Sequence, residues 1–120
     1  MSKLRKQTLD GNIETMLLAT LSEGSSYGYQ IVEDLNHRAG GLLELGEGTV
    51  YPVLHRIERR GLIRGYWQVG DNGRKRKYYH LTPVGKKALE ENRRQWGDLV
   101  QIMRGVLSGE TVNPSQSATA

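Results

Sequence analysis

Apolar residues recur at the spacing of an α-helix three times in the first half of the chain, over residues 12–23, 27–39 and 48–61. Residues able to cap a helix precede the first two of these stretches. We expect Asp10 or Gly11 to cap the first helix, and Ser25 or Ser26 to cap the second. The pattern therefore predicts three short helices, each with one apolar face turned towards a core.

A loop separates the second and third predicted helices. Gly40 and Gly41 end the second helix, because paired glycines interrupt a helical pattern. The loop continues through Leu45 and is expected to turn Leu42, Leu43 or Leu45 inward. It is longer than the turn in the simplest helix-turn-helix proteins.

A proline lies in the first half of the third helix, in the segment GTVYPVLHRIERRGLI. A helix accepts proline in its first turn, where the backbone N–H groups have no acceptor within the helix. Pro52 sits there if Gly48 or Thr49 is the cap. If the helix begins nearer Gly46, Pro52 must bend it. The proline thus marks a helix beginning, with both positions of the cap open.

Two later stretches change to the shorter period of β-strands, residues 62–69 and 75–81. Between them, Asn72 and Gly73 readily adopt the positive φ angles of a tight turn. The sequence predicts an antiparallel hairpin whose tip carries four consecutive cations, Arg74, Lys75, Arg76 and Lys77.

A long helix is predicted from Thr82 and Pro83, with the hydroxyl as cap and the proline ring in the first turn, to about Leu107. Its apolar stripe repeats every seven residues and is widened by further apolar positions. The stripe contains Leu89, Trp96, Leu99, Val100, Met103, Val106 and Leu107. Residues 108–120 are small and polar, so we expect a disordered tail there.

These elements predict a mainly α fold with a small β-hairpin (α+β), a winged helix-turn-helix followed by a long C-terminal helix. We expect the winged domain to occupy residues 1–81. A dimerisation helix over residues 82–107 and the tail complete the predicted organisation.

The order of the elements fits DNA binding, because a helix with a polar outer face can enter the major groove. The net charge of +4 permits an anionic partner. On the third helix the candidates for DNA contact are Thr49, Tyr51, Pro52, His55, Arg56 and Arg59. The other tyrosines of the helices and the hairpin are interpreted as packing residues, Tyr27, Tyr29, Tyr66, Tyr78 and Tyr79.

Sequence-independent affinity is expected from cations that displace counterions from the phosphates. These are the hairpin cations Arg74, Lys75, Arg76 and Lys77, together with the N-terminal arm Lys3, Arg5 and Lys6. The arm also has a plain interpretation as a solvated terminus.

The apolar stripe of the long helix exceeds what a small winged domain can cover, so a second copy of the chain is the predicted cover, in a two-fold dimer. The alternative is that the stripe folds back on its own domain.

Other classes of protein find little support in the sequence. The longest uninterrupted apolar run is Met16 to Ala19, so we expect a cytoplasmic protein without a membrane partner. With no cysteine and three scattered histidines, no metal site is predicted. There is no nucleophile elbow and no phosphate-binding loop, so we expect no catalysis and no cofactor.

Several motifs together resemble one known family. SSYGYQIVEDL, GTVYPVLHRIERRGLI with Trp67, and GRKRKYYHLTPVGKKAL occur in this order. They are similar to the PadR family of bacterial transcription regulators over about Leu9 to Leu107. The short C-terminus resembles the smaller type, which has one long terminal helix.

The resemblance implies a homodimeric repressor whose long helices pack across the dimer and whose recognition helices face a palindromic double-stranded operator. Family members typically control genes for detoxification or efflux, and some release DNA when an aromatic small molecule binds. By analogy Trp96, Leu99, Val100 and Met103 are the candidates to line such an effector site. The plain interpretation of Trp96 is a dimer-core residue.

A second functional class is an interaction module, in which the same fold and long helix bind protein and the basic hairpin is incidental. Sequence-selective, salt-sensitive binding to DNA distinguishes the regulator from the module.

Overall fold

A computed structural model describes Leu9 and residues 11–111 of the 120-residue chain. The described part contains four helices and three strands, in the order α1 (Ile13–Leu21), β1 (Ser26–Tyr27), α2 (Gly28–Arg38), α3 (Glu47–Arg59), β2 (Ile63–Val69), β3 (Lys75–Leu81) and α4 (Pro83–Ser108). The predicted winged helix-turn-helix with a long last helix is confirmed. None of the described helices is long and apolar enough to cross a membrane.

The chain divides into two compact units, one ending at Lys86 and the other beginning at Lys87. In the first unit the apolar faces of α1, α2 and α3 meet in one core, which β2 closes from the side. Its largest fully buried side chains are Leu17, Leu18, Ile31, Val50, Leu54, Ile57 and Ile63. Burial at the predicted helical period explains why these three segments fold as helices.

The sheet has three strands in the order β1-β3-β2, all antiparallel, rather than the two strands of the predicted hairpin. The additional strand pairs Ser26 with Tyr79 and Tyr27 with Tyr78. The prediction that Ser25 or Ser26 caps α2 is therefore wrong, because Ser26 lies in a strand and Tyr27 is the cap residue. A strand of two residues shows no period that a sequence pattern can reveal.

The hairpin of β2 and β3 is confirmed, with Ile63 opposite Leu81 at its base and Val69 opposite Lys75 at its end. Its turn closes where the Gly73 N–H donates to the Gly70 carbonyl, at 2.9 Å. Gly73 has a φ of +77°, which a glycine adopts without strain.

Helix α3 begins too early for Pro52 to lie in its first turn. Its cap is Gly46, whose carbonyl accepts from the N–H groups of Thr49 and Val50 at 3.1 Å each. Pro52 therefore lies inside the helix, and the cap at Gly48 or Thr49 is wrong. Because proline has no N–H, the carbonyl of Gly48 loses its usual donor four residues on.

The cap of α1 also differs from the prediction. The cap position is Asn12, not Gly11, whose φ of +84° places it in a turn before the helix. The N–H of Asn12 donates to the Leu9 carbonyl at 2.9 Å, which holds this turn closed. Asp10 lies outside the described residues.

The loop between α2 and α3 is held by one side-chain amide. Asn36 on α2 donates to the Leu45 carbonyl and accepts from the Leu45 N–H, both at 2.7 Å. Leu43 and Leu45 are buried, as expected, whereas Leu42 is exposed. The loop is therefore fixed at the point where the chain enters α3.

The start of α4 is as predicted. The Thr82 hydroxyl accepts from the Gly85 N–H at 3.0 Å and lies within hydrogen-bond distance of the Gly61 and Leu62 carbonyls. Pro83 is the first helical residue, and the helix ends at Ser108. Lys3, Arg5 and Lys6, and the tail from residue 112, lie outside the described residues.

Candidate nucleic-acid interface

Helix α3 is amphipathic, with one buried apolar face and one exposed polar face. Its buried residues are Val50, Val53, Leu54 and Ile57. The predicted DNA-contacting residues Thr49, Pro52, His55, Arg56 and Arg59 are all exposed, and Tyr51 is half-buried. The face that the sequence assigned to DNA is therefore open on the surface of the first unit.

Tyr51 packs against the start of α2. A Cβ added at Gly28, the first residue of α2, would lie 2.8 Å from the Tyr51 ring, closer than real contacts allow. Glycine at this position thus lets the ring pack closely against the start of α2. Burial, followed by the charge of Glu47 and a hydrogen bond with it, raises the pKa of Tyr51. The protonated phenol is therefore favoured, and its hydroxyl is hydrogen-bonded to Glu47.

A groove of about 550 Å³ separates the hairpin from α3 and from the start of α2. The hairpin supplies its cationic wall, and the two helices supply most of the aromatic wall. The lining residues are Tyr27, Gly28, Tyr29, Tyr51, His55, Arg74, Lys75, Arg76, Lys77 and Tyr79. This combination of hydrogen-bond donors and cations suits a phosphate-bearing partner.

Three of the four hairpin cations remain available to an anion. Arg74 is exposed beside the turn. The Lys75 ammonium lies 5.9 Å from the ring centre of Trp67, and the Arg76 guanidinium lies 4.3 Å from that of Tyr27. Stacking on an aromatic ring orients a cation without neutralising its charge.

Lys77 differs because it has a carboxylate partner. Its Nζ lies 3.1 Å from Oε1 of Glu58, near the end of α3, and Oε2 of Glu58 accepts from the Gly65 N–H at 3.0 Å. The hydrogen bond with Glu58 raises the pKa of Lys77. The structure thus joins the hairpin to α3 at this point.

The start of α2 also favours an anion in the groove. The cap residue Tyr27 makes no side-chain hydrogen bond to the helix, and the first turn holds no acidic residue. The N-terminal end of a helix carries a partial positive charge, which an acidic cap would have offset. Here Tyr27, Gly28 and Tyr29 bring that end to the groove.

Some tyrosines pack against one another in the sheet, and others line the groove. Tyr66 and Tyr78 stack with ring centres 6.0 Å apart, as their interpretation as packing residues requires. Tyr29 is 54% exposed, so that interpretation is wrong for it. A hydrogen bond with Glu33 raises the pKa of Tyr29. Tyr79 is buried, and burial raises its pKa.

In the second unit, the apolar stripe of α4 is exposed. Trp96, Leu99, Met103, Val106 and Leu107 are 46–76% exposed, and Ile102 adds to them at 47%. Leu89 is different, because its side chain is already buried within the single chain. The exposed stripe is the kind of surface that another protein surface covers.

Sequence reasoning missed Glu58, Gly28, Tyr27 and Tyr29 as parts of the site. Glu58 lies between Arg56 and Arg59 near the end of α3, and an acid among basic residues is a weak sign of an internal partner. The close approach between Gly28 and Tyr51 joins positions far apart in sequence, so no local pattern reveals it. The arm Lys3, Arg5 and Lys6 lies outside the described residues and stays a prediction.

Comparison with known families gives one match over most of the chain. The model of the transcriptional regulator PadR-like family matches residues 17–91. The transcriptional regulator Rv3488 of Mycobacterium tuberculosis is 34% identical over 95 residues, which cover 79% of this chain and 82% of that protein.

Solved structures give the same result. A PadR-like transcriptional regulator from Bacillus cereus is 36% identical, with a TM-score of 0.78 over 88% of this chain and 100% of that one. A PadR family transcription regulator from Clostridium difficile is 33% identical, with a TM-score of 0.73 over 81% of this chain and 99% of that one.

Proposed function

Because the chain belongs to the PadR-like family of transcriptional regulators, we propose that it is a sequence-specific DNA-binding regulator, a homodimer that represses a gene for detoxification or efflux. It acts in the cytoplasm, on double-stranded operator DNA, and takes part in no catalysis. The groove between α3 and the hairpin is the observation that carries the proposal.

In this proposal α3 is the recognition helix. Its exposed face, with His55 and Arg56, enters the major groove, where side chains meet base edges. Arg59 lies further along the helix and meets the backbone. Arg74, Lys75 and Arg76 lie along the neighbouring phosphates and supply affinity that is independent of sequence.

The exposed stripe of α4 supports the dimer. Covering these side chains with a second copy removes apolar surface from water, the main driving force of association. Two copies related by a two-fold axis would present two recognition helices, so the proposal predicts a palindromic operator.

An aromatic effector at Trp96, with Leu99, Val100 and Met103, is the finer part of the proposal, and a purely packing role of Trp96 is its alternative. The chain has two tryptophans, so Trp67→Phe leaves Trp96 as the reporter. Saturable quenching of its fluorescence by 8-anilinonaphthalene-1-sulfonate supports an accessible aromatic site. Unchanged fluorescence supports the packing role.

The test of DNA recognition begins with a random-sequence duplex library, from which the wild-type protein enriches a preferred duplex. We expect Arg74→Ala/Lys75→Ala to weaken binding to this duplex and to a shuffled one, and to lower the salt slope by about two per subunit. The matched control removes two exposed lysines of α4, Lys86 and Lys87. Equal binding of all duplexes, unaffected by the hairpin variant, would favour the interaction module.

His55 tests the contact with bases. A base contact predicts that His55→Ala changes the enriched sequence at one position while phosphate contacts persist. An identical enriched sequence would remove His55 from the base-reading residues.

A further inference from the structure

We propose that Glu58 is a positioning residue of this interface: its carboxylate ties the recognition helix to the hairpin and withholds Lys77 from the phosphates. The inference rests on the proposed function, because it assigns a role within the same DNA-binding surface. Its consequence is that Glu58, an acid in a basic surface, increases the preference for the correct sequence.

One carboxylate of α3 contacts two other elements, β2 and β3. Glu58 lies on α3, and its Oε2 accepts from the backbone N–H of Gly65 on β2 at 3.0 Å. Its Oε1 accepts from Nζ of Lys77 on β3 at 3.1 Å. Both oxygens are therefore engaged, and both bonds cross from the recognition helix to the hairpin. A charge-assisted bond of this kind fixes geometry better than a neutral one.

The strand makes room for this pair. A Cβ at Gly65 would lie 2.4 Å from Cε of Lys77 and 2.7 Å from Oε2 of Glu58. Any larger residue would push the two side chains away from each other or from the strand. Glycine in the middle of a strand weakens it, and here the close approach of two side chains explains its presence.

The pair differs from an ordinary surface ion pair. The side chains of Lys77 and Glu58 are 33% and 28% exposed, whereas those of Arg94 and Glu91 on α4 are 56% and 53% exposed. The hydrogen bond with Glu58 raises the pKa of Lys77, so the pair favours the charged lysine. Its charge is then balanced within the protein, unlike that of Arg74.

Specific binding needs the base-reading helix and the phosphate-binding hairpin to engage the duplex at one fixed separation. Without the Glu58 carboxylate, the hairpin loses one tie to α3, and Lys77 becomes a further mobile cation. Loss of the tie lowers affinity for the preferred duplex. The additional cation raises affinity for any duplex.

Glu58→Gln tests this directly, because glutamine keeps the shape and an acceptor for Gly65 but loses the charge that holds Lys77. The probes are the duplex enriched by the wild-type protein and a shuffled duplex of equal length and composition. We expect the ratio of the two affinities to fall about tenfold. Binding to the shuffled duplex is unchanged or stronger, and its salt slope steepens by about one per subunit.

Lys77→Met separates positioning from direct contact. The proposal expects a lower affinity ratio with an unchanged salt slope on the shuffled duplex. A slope reduced by about one per subunit would make Lys77 an ordinary phosphate contact and overturn the proposal. Gly65→Ala gives a second disturbance of the pair without altering charge, since the atoms it displaces are flexible side-chain ends.

The matched control is Glu14→Gln, which removes the partner of Arg60 at the end of the same helix, 2.8 Å away, without touching the hairpin. We expect it to leave the affinity ratio unchanged. A merely structural role of Glu58 predicts equal losses on both duplexes, in step with a lower melting temperature, and would overturn the inference. If the wild-type protein enriches no duplex, the proposed function fails first, and this inference fails with it.

Discussion

The groove of the first unit and the stripe of the second are two exposed surfaces of opposite chemistry. The groove is lined by cations and tyrosines, several of which have partners within the chain. The stripe is apolar, with side chains 46–76% exposed. Charged surfaces act through counterions, whereas apolar surfaces act through burial. Ionic strength should therefore separate the two interactions of one protein.

The largest expected effect is that of salt on DNA binding. With about six phosphate contacts per proposed dimer, raising salt from about 50 to about 200 mM lowers affinity for the enriched duplex about a thousandfold. Association of the two copies changes little, because burial of apolar surface is not screened. Fluorescence anisotropy measures the first quantity and sedimentation the second. A parallel weakening of both would contradict the comparison.

A charge placed in the apolar stripe of α4 should weaken association of the two copies and leave the groove unchanged. We expect Leu99→Asp to weaken the proposed dimer about a hundredfold, because burying an unpaired carboxylate is costly. Sedimentation equilibrium at micromolar concentration gives the dissociation constant. Arg94→Asp, with the same carboxylate on the opposite side of the helix, is the control and should leave association unchanged. A dimer that tolerates Leu99→Asp would place the interface elsewhere.

Removing the side-chain amide that fixes the loop before α3 should destabilise the first unit, which carries the groove. Asn36→Ala deletes two hydrogen bonds to Leu45, so the free energy of unfolding should fall by about 2 kcal/mol. Urea unfolding measures the change. Gln30→Ala, which removes a bond to Asp34 on the same helix, should cost less because both residues lie on α2. An equal loss of unfolding free energy in the two variants would mean that the hydrogen bonds of Asn36 to Leu45 do not stabilise the loop.

The smallest expected effect is that of alkaline pH on the tie between α3 and the hairpin. The folded pKa of Lys77 is raised above its ordinary value. The pair therefore stabilises the fold fully below the unfolded pKa of lysine, about 10.4, and loses this effect as pH rises through the folded pKa. At pH 8 the free energy of unfolding of the wild type should exceed that of Lys77→Met by less than about 1 kcal/mol. The difference should vanish at strongly alkaline pH, and one that persists there would not come from charge.

Periodic elements were predictable, and contacts between distant residues were not. The apolar face of α3 and the Thr82-Pro83 start of α4 follow from local sequence and are confirmed. The strand at Ser26 and Tyr27 exists only because β3 is there to pair with it. Its two residues carry too little pattern to predict it.

The candidate site shows the same limit. The hairpin cations and the exposed face of α3 follow from charge and periodicity, whereas the partner of each cation depends on the fold. Lys77 and Glu58 are separated by 19 residues, and only the register of β2 and β3 brings Lys77 within reach. The start of α3 stays open in the sequence between Gly48 or Thr49 and a position nearer Gly46, because local sequence alone does not decide whether Pro52 lies in the first turn or inside the helix. The cap at Gly46 decides for the second alternative.

The turn at the end of the hairpin also bears on how long the protein stays chemically intact. Asparagine before glycine is prone to deamidation, which starts when the glycine nitrogen attacks the side-chain amide carbon. In the folded hairpin the Gly73 nitrogen donates to the Gly70 carbonyl, and the Asn72 oxygen accepts from the Arg74 N–H at 3.0 Å. The Gly73 nitrogen is thus engaged in a backbone hydrogen bond, and the Asn72 side chain is held in one orientation. Asn72 should therefore deamidate more slowly in the folded hairpin than in the unfolded chain.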